Sequence, residues 1–478
     1  MKIRDIGGVG ALVDGWRRTG TTARLTIWQA SALLYLIFPT FLFLLTFSRY
    51  VLAVPGLAFI AWATWQLLRG GVEQSVSRPV AIALLVLALV LTLSSGLVPP
   101  LWQLTDYPKH YALLHMLAEN HWPVVVNLGN GPELLRYYLG WYLVPGGLCK
   151  LLGPQFLTAT VAAWTTLGLW LVFLLLAEAW KPKNRWLAVP AALLFMFFSG
   201  ADQLGQTLTG HLMPYTDHFE WWATFYHYPS MMTGLVWAPQ HALAAWLAAG
   251  LMLNASAKPR IVAHTGLLFF ALFFWSPFCA LGIMPFVLVA AGLAGFRHLL
   301  SASNFLSVPA VAPAVLGYGF TDTAQLYHDW VWNIPGWTFQ NLLGFWLLEF
   351  GLFAVVIFAI GTPRNAMFRV AVVVLLLSAF YKVGLFNDFS MRVPAPALAI
   401  LAFVAIEIVL TRPWRTSLPL VLVFALGITT PLSEITRPFR KANEPGCRAN
   451  RKGMIMEFDM ANSFRVQYLT RYPSKFVR

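Results

Sequence analysis

The fold class is decided by residues 156–180, FLTATVAAWTTLGLWLVFLLLAEAW, an apolar run with a single charged side chain, Glu178. A helix needs about 20 predominantly apolar residues to cross a bilayer, so this run is long enough. Similar stretches lie at 30–48, 51–68, 79–99, 186–200, 236–255, 261–278, 280–296, 302–318, 341–361, 368–386, 394–411 and 416–431. The sequence therefore predicts an all-α, polytopic transmembrane helix bundle with about thirteen spans.

The composition agrees with this class. Of the 478 residues, 58% are hydrophobic and only 11% are charged, and the mean hydropathy is +0.66. A soluble protein has about 25% charged residues because its surface faces water. The 36 Phe, 21 Trp and 15 Tyr residues suit aromatic belts at two membrane interfaces. A soluble globular domain is excluded.

The net charge of +14 does not indicate nucleic-acid binding, because the basic residues fall in short clusters between apolar stretches. There they would meet membrane lipids. The three cysteines form no CxxC motif and imply neither a disulfide framework nor a zinc site. Residues 1–29 are basic, and the first apolar stretch lacks a small-residue cleavage site, so a retained cytoplasmic N-terminal segment is expected.

The topology depends on whether residues 137–153, YYLGWYLVPGGLCKLLG, cross the membrane. If this segment lies on the outer surface or re-enters, every short basic loop falls on the inner side. Those loops contain Arg69, Arg78, Lys181, Lys183, Arg185, Lys258, Arg260, Arg297, Arg364, Arg369, Arg412 and Arg415. The positive-inside rule favours this arrangement, with the N-terminus inside and the C-terminus outside.

This topology collects polar residues on the outer face of a bundle that covers 30–431. The outer loops are 100–155, with juxtamembrane helices, 201–235, 319–340 and 387–393, followed by a basic tail at 432–478. They hold Asp106, Lys109, His110, Glu133, Asp202, His211, Asp217, His218, Glu220, Asp322, His328, Asp329 and Asp388. The inner loops have almost no acids or histidines, so the chemistry is expected outside.

The segment LTDYPKHYALLH, residues 104–115, provides a candidate catalytic acid. Pro108 restricts the turn, and a helix that begins here would bring Asp106 and His110 onto one face, beside Lys109. A carboxylate at the membrane–water interface can take a proton from a hydroxyl nucleophile. The alternative, that Asp106 only caps the following helix, stays open.

The outer loop 201–235 is dense in acids, histidines and aromatic residues. His211, Asp217, His218 and Glu220 are candidate substrate-binding residues. Asp217, His218 and Glu220 could instead ligate a divalent cation such as Mg²⁺ or Mn²⁺, or bind sugar hydroxyls beside tryptophans. No spacing here matches a known metal motif, so no metal ligand is assigned. The alternative is an interfacial aromatic belt with solvated polar residues.

Two further motifs carry candidate substrate-binding residues. WAPQH, residues 237–241, places Gln240 and His241 in the first turns of an apolar helix, where polar residues usually have a function. His241 could also be hydrogen-bonded within the bundle. FNDFSMR, residues 386–392, places Asp388 and Arg392 on a short outer turn. Arg392 could hold a phosphate, or the two residues could form an ion pair that only fixes the turn.

The order of these parts resembles the GT-C class of membrane glycosyltransferases, such as lipid A aminoarabinose transferases and protein O-mannosyltransferases. Asp106 occupies the place of their outer-loop catalytic acid, and residues 131–153, GPELLRYYLGWYLVPGGLCKLLG, resemble their surface helix. DYPKHYALLHMLAENHWPV, WAPQH and NDFSMRVPAPAL also resemble a group of bacterial multispanning proteins in the same class. The chain departs from that class in lacking an acid pair at Asp106 and in having two extra early spans.

The resemblance implies a glycosyltransferase of the bacterial inner membrane with its active site facing the periplasm. Its donor would be a polyprenyl-phosphate sugar, and its acceptor a glycan, lipid or protein hydroxyl of the cell envelope. Asp106 would deprotonate the acceptor, while Lys109, His241 or Arg392 would steady the departing phosphate. In-line attack would invert the anomeric centre.

Two other classes remain as alternatives. A lipid-linked sugar transporter or flippase would be expected to show internal repeats and interrupted helices at the bilayer midplane, and the sequence has no evident repeat. An O-antigen polymerase or ligase would share the lipid-linked donor. Such an enzyme would depend on outer arginines and histidines more than on Asp106.

Overall fold

The computed structural model describes residues 24–104, 106–127, 131–180, 184–210, 218–255, 258–320, 327–362, 364–384, 386–443, 468–471 and 476–477. Its α-helices are α1 Ile27–Thr46, α2 Tyr50–Leu68, α3 Arg78–Ser94, α4 Tyr107–Glu119, α5 Leu143–Leu152, α6 Leu157–Trp180, α7 Ala188–Met196, α8 Asp202–Thr209, α9 Met231–Trp237, α10 Pro239–Ala255, α11 Pro259–Val262, α12 Thr265–Trp275, α13 Pro277–Ala294, α14 Ala302–Gly319, α15 Phe339–Trp346, α16 Leu352–Ile360, α17 Asn365–Ser378, α18 Asp388–Arg392, α19 Ala395–Thr411, α20 Trp414–Gly427 and α21 Thr429–Arg440. The strands are β1 Leu25–Thr26, β2 Val72–Glu73, β3 Val125–Asn127, β4 Pro132–Leu135, β5 His328–Trp330, β6 Tyr381–Val383 and β7 Leu469–Arg471.

The chain is a mostly helical membrane protein, as the sequence predicts. Among the described residues, seven helical segments are long and apolar enough to cross a bilayer. They are Ile27–Thr46, Tyr50–Leu68, Pro154–Trp180, Pro277–Ala294, Phe339–Ile360, Asp388–Thr411 and Trp414–Arg440. The other predicted stretches also contain helices, but shorter or more polar ones. The count of about thirteen spans therefore stays a prediction.

Local sequence explains where two neighbouring helices are divided. The apolar sequence continues across residue 276, but α12 ends at Trp275 and α13 begins at Pro277. Ser276 is extended, with φ −166°, and its hydroxyl accepts a hydrogen bond from the backbone N–H of Cys279. A proline at the first helical position and a serine cap before it both favour a new helix here.

The segment 137–153 forms a helix only over its second half. α5 has ten residues, Leu143–Leu152, and is about 15 Å long at 1.5 Å per residue. The hydrocarbon core is about 30 Å thick, so α5 is too short to cross it as a helix. α5 packs against α4 and α6. This length agrees with the expectation of a surface or re-entrant segment.

The centre of the bundle is built around α10 and α19. Every described side chain of α10 except Asn254 is buried, and the helix contacts α6, α13 and α19. Its alanines and Gly250 allow this close packing, because a Cβ on Gly250 would lie 3.0 Å from Cβ of Leu175. A helix that is apolar all round is expected to be buried. The polar residues at its first turn are therefore held by a rigid central element.

The two ends of the bundle are identified by the chain segments that meet there. α1 follows β1, which pairs with β2 close to the basic loops, and Lys258 donates a hydrogen bond of 2.6 Å to Glu73 there. Two residues after the other end of α1, Ser48 forms a bridge with Val477. The 20 residues of α1 separate these places by about 30 Å. We call them the basic end and the tail end.

Short strands join the loops at the tail end. β3, β4 and β7 form an antiparallel sheet in which Leu134 pairs with both Val125 and Thr470, and β5 pairs with β6. These strands are two to four residues long and lie in loops, so the helical bundle keeps its all-α class. Strand pairing across more than three hundred residues depends on tertiary contacts, which local sequence does not reveal.

The expected boundary between bundle and tail, at residue 431, falls inside a helix. The helical segment that begins at Trp414 continues to Arg440. Pro431 lies in the first turn of α21, where a proline interrupts few hydrogen bonds. Glu434 and Arg437 on this helix are buried and paired, so they belong to the bundle and not to a solvated tail.

Candidate functional site

Asp106 stands at the start of α4 with its carboxylate available. It occupies the N-cap position, but its backbone is helical, with φ −78° and ψ −18°, and its side chain makes no capping hydrogen bond. Its Oδ2 instead accepts a hydrogen bond of 3.0 Å from Nζ of Lys109. The Asp106 side chain is 44% exposed. The capping alternative therefore does not describe this residue.

The environment of Asp106 favours its charged form. Burial raises the pKa of the carboxyl, but the positive charges, above all that of Lys109, outweigh it and hold the pKa below its usual range. Arg392 contributes to this lowering although it lies 286 positions later in the sequence. Asp106 is therefore an anion at neutral pH and can accept a proton.

Asp106 and His110 lie within electrostatic range of each other, as helical spacing predicts, but the hydrogen bonds of His110 go to other groups. Its Nδ1 lies 2.5 Å from the Tyr142 hydroxyl, and its Nε2 lies 3.3 Å from the carbonyl oxygen of Trp237. Because a carbonyl only accepts, Nε2 carries the proton and Nδ1 accepts from Tyr142. Burial and the charge of Lys109 lower the pKa of His110 to about 3. It is a neutral, buried residue that positions its neighbours.

Gln240 and His241 lie in the first turn of α10, behind Asp106 and Lys109. Both are buried. Among the described residues, neither ring nitrogen of His241 has a hydrogen-bond partner, and neither has Oε1 of Gln240. An unsatisfied buried polar group costs about 1–3 kcal/mol. The positive charges of Arg392 and Lys109 act on His241, so this side chain lies beside the two cations.

Arg392 joins this cluster from α18. Asn387, with φ +58°, caps that short helix by accepting a hydrogen bond from the Ser390 N–H. Arg392 pairs with Asp388 at 2.8 Å, so the ion pair weighed from sequence does form. Its guanidinium also lies 5.9 Å from the ring centre of Tyr138. A guanidinium has five N–H donors, so the ion pair leaves capacity for an anion.

Residues before α5 form an aromatic wall on this cluster. The Tyr138 ring meets His241 edge-on at 5.5 Å, and Tyr142 stacks on His110 at 5.9 Å. Trp141 is fully buried and donates a hydrogen bond to Thr165 on α6. The segment that resembles a surface helix thus contributes tyrosines beside Asp106. We call Asp106, Lys109, Gln240, His241 and Arg392 the acid–cation cluster.

A second polar cluster lies on the other side of Trp237. His218 Nε2 is 3.5 Å from Oε2 of Glu220, and His227 Nε2 contacts the same oxygen. His218 Nδ1 is 3.0 Å from Oε1 of Glu434, which also pairs with Arg437. We call His218, Glu220 and His227 the His–Glu–His cluster. Its ligand atoms all lie within 4.8 Å of one another, so it could hold a metal ion.

Electrostatics keep Glu220 ionised in this buried setting. Burial raises its pKa, but the hydrogen bond and charge of His227 and the charge of His218 outweigh burial and lower the pKa to about 2. For His218, burial lowers the pKa, but the hydrogen bond and the charge of Glu434 raise it by more. The pKa of His218 therefore lies above its usual value. The Glu220 carboxylate and the His218 ring are therefore stabilised by neighbouring protein groups rather than by water.

Trp237 connects the two clusters. Its carbonyl oxygen faces His110, and its indole N–H donates a hydrogen bond of 2.8 Å to Glu434. The Tyr107 hydroxyl donates to the neighbouring carbonyl of Val236. The WAPQH motif therefore contributes a backbone link as well as the side chains of Gln240 and His241.

A buried carboxyl pair lies beyond the second cluster. Asp202 accepts hydrogen bonds from Ser199, Thr430 and Trp222, and the Trp222 N–H also reaches Glu349. Burial and the charge of Glu220 raise the pKa of Asp202. The Trp222 and hydroxyl donors make this pair a structural junction between α8 and α21.

The structure thus brings together residues from three motifs, namely Asp106, Lys109, Gln240, His241, Asp388 and Arg392. His218 and Glu220 lie on the other side of Trp237. His211 and Asp217 lie outside the described residues. Sequence analysis did not single out His227, Glu434, Arg437, Trp237 and Tyr142. Glu434 carries a signal that could have been used, since it is an acid that follows a long apolar stretch.

The chain has no significant match among protein-family models, curated proteins or solved structures.

Proposed function

We propose that this protein is a GT-C-type membrane glycosyltransferase that moves a sugar from a polyprenyl-phosphate donor to an acceptor hydroxyl. The observation that carries the proposal is the acid–cation cluster. It combines an ionised, half-exposed carboxylate with two cations and with buried polar atoms that have no hydrogen-bond partner in the described part of the chain. The cluster lies at the tail end of an apolar bundle, and the proposal requires that a lipid-linked substrate reach it there.

The chemistry divides between Asp106 and the cations. The Asp106 carboxylate accepts the proton of the acceptor hydroxyl as its oxygen forms a bond to the anomeric carbon of the donor. The bond from that carbon to the polyprenyl phosphate breaks, and the phosphate oxygen keeps the electron pair. Lys109 and Arg392 stabilise the phosphate as its negative charge develops. Attack from the opposite face inverts the anomeric centre.

Lys109 serves two partners in this scheme. Its ammonium holds Asp106 in the charged form in the free protein, at 3.0 Å. An ammonium has three rotatable donors, so it can contact a phosphate while it stays near the carboxylate. His241 and Gln240 supply further polar atoms at the buried side of the cluster, and the donor head group satisfies them.

The tail end would face the periplasm of a bacterial inner membrane, with about thirteen spans and the basic end in the cytoplasm. Nucleotide sugars do not reach that side, so a transferase there needs a donor carried on a lipid. The glycan, lipid or protein acceptor would belong to the cell envelope.

The test is sugar transfer in membranes supplied with radiolabelled polyprenyl-phosphate sugars, with wild type, Asp106→Asn and Asp329→Asn compared. Asp329 lies in β5 at the same end and outside the cluster, so its variant is the matched control. We expect Asp106→Asn to lose at least about 100-fold in transfer rate, since a positioned general base contributes about 10²–10⁴-fold.

Asp329→Asn should transfer at the wild-type rate. Transfer that persists at the normal rate in Asp106→Asn removes Asp106 as the base. Labelled lipid that crosses the membrane without any transfer product would instead support a flippase. If Arg392→Lys loses transfer while Asp106→Asn keeps it, the polymerase or ligase class is favoured.

A further inference from the structure

We propose that His218, Glu220 and His227 bind a divalent transition-metal ion of the zinc type, a site separate from the acid–cation cluster. Two imidazole nitrogens and one carboxylate oxygen converge from a single segment of ten residues, 218–227. Nothing in the proposed sugar transfer uses these side chains. Zinc binding at this cluster can therefore be tested separately from sugar transfer.

The distances suit a shared ion. In tetrahedral coordination with metal–ligand bonds of about 2.1 Å, neighbouring ligand atoms lie roughly 3.4 Å apart. His218 Nε2 and Glu220 Oε2 are 3.5 Å apart, and the His227 nitrogen contacts the same oxygen. An ion between them requires His227 to withdraw slightly, and His227 is the most exposed of the three, at 12%.

The outer atoms of the ligands are held by other groups, as metal sites require. His218 Nδ1 lies 3.0 Å from Glu434, which fixes the ring and directs Nε2 towards Glu220. The other carboxylate oxygen of Glu220 accepts hydrogen bonds from the Ser230 N–H at 2.8 Å and the Thr233 hydroxyl at 2.7 Å. A ligating histidine almost always has such a partner on its second nitrogen.

The donor set selects the kind of ion. Imidazole suits zinc and neighbouring transition metals, whereas Mg²⁺ prefers oxygen ligands and keeps several waters. Two histidines and one glutamate therefore disfavour the Mg²⁺ considered from sequence. Three protein ligands leave a coordination position for water or a substrate oxygen, as in catalytic zinc sites.

The burial of the cluster would strengthen ion binding. The side chains of His218 and Glu220 are only 4% and 1% exposed, so little water competes for their ligand atoms. Trp237 packs its ring against His218, with centres 4.8 Å apart. Since Trp237 also contacts His110, an ion here would stiffen the segment that carries Gln240 and His241.

The experiment measures binding of zinc alone to the full chain. The protein is purified in detergent through a tag without histidine, stripped with a chelator, and dialysed against Zn²⁺ before metal analysis. Wild type, His218→Ala, His227→Asn and the control His115→Ala are compared. His115 forms an exposed histidine–glutamate pair with Glu119 on α4, so its variant removes a similar pair without changing the cluster.

We expect one zinc per chain in wild type and His115→Ala, and at least a 100-fold weaker affinity in the two cluster variants. Wild type that binds no zinc, or cluster variants that bind as wild type does, would overturn the proposal. If a cluster variant fails to fold, the Co²⁺-loaded wild type decides. Visible bands of nitrogen and oxygen coordination support the site, and thiolate charge-transfer bands place the ion on cysteine and refute it.

Discussion

Glu434→Gln should destabilise the protein far more than a charge change at the surface would. Glu434 receives hydrogen bonds from the Trp237 indole and from both terminal nitrogens of Arg437, at 2.6 to 2.8 Å. It also lies 3.0 Å from His218 Nδ1. Glutamine keeps the shape, but its NH₂ group must face one of these donors. The buried guanidinium then loses its counter-charge.

The magnitude follows from burial. The side chains of Arg437 and Glu434 are 3% and 1% exposed, so solvent screens their interaction very little. Removing one partner of such a pair costs about 3–5 kcal/mol. The matched control is Glu407→Gln, whose partner Arg364 is 22% exposed and also donates to the Ala179 carbonyl. Glu407 itself is 13% exposed, so this pair is more open to solvent than the Glu434 pair, and an exposed pair contributes about 0–1 kcal/mol.

The assay is reversible unfolding in mixed detergent micelles, followed by tryptophan fluorescence. We expect the free energy of unfolding to fall by about 3–5 kcal/mol in Glu434→Gln and by at most about 1 kcal/mol in Glu407→Gln. A loss of no more than about 1 kcal/mol in Glu434→Gln would refute the reasoning, because it would show that the Glu434 network is solvated and not buried.

Two further perturbations test the acid–cation cluster. Tyr142→Phe leaves Nδ1 of His110 without its donor, so the free energy of unfolding should fall by about 1–3 kcal/mol in the same assay, and an unchanged stability would show that this hydrogen bond does not form. Lys109→Met removes the charge that holds the pKa of Asp106 below 3.8. Since loss of a nearby cation disfavours the carboxylate, the pKa should rise, and the acid limb of the transfer-rate profile should move to higher pH. An acid limb that stays in place would show that Lys109 does not control Asp106.

The helical membrane class could be predicted because it depends on local composition. Each apolar stretch contains a helix, and even 302–318, which includes two prolines, forms α14 as Ala302–Gly319. Pro309 and Pro313 lie inside α14 without ending it, and prolines of this kind are tolerated in membrane helices. Helix lengths were less predictable. Several helices end early at serine or proline caps, such as Ser276, and fall short of a full span.

Part of the site could be predicted from charge sorting. Placing basic loops on one side assigns Asp106 and Arg392 to the same side, and the structure brings their charges into mutual range. The contacts of Glu434 and His227 could not be predicted in this way. Glu434 lies 216 positions from His218, and their contact depends on how α21 packs against α9 and α8. Such pairs are set by tertiary structure and leave no periodic signal.

The hydrogen-bond partners of His110 could not be predicted from helical spacing. Helical spacing places residues four apart on one face, which favoured contact between Asp106 and His110. Asp106 lies at the boundary of α4, however, and Lys109 is close enough to take its carboxylate. Tyr142 and Trp237 then offer His110 a buried position in which both ring nitrogens are satisfied.

The central claim is that proton-transferring side chains have been sorted to the membrane face opposite the basic loops. The most direct test is labelling of intact cells with a membrane-impermeant maleimide, in a chain whose native cysteines have been replaced. Thr207→Cys, on the exposed face of α8 at the tail end, should react from outside, whereas Pro182→Cys, in the predicted inner loop, should react only after permeabilisation. Labelling of Pro182→Cys in intact cells, or of both positions from the same side, would contradict the account.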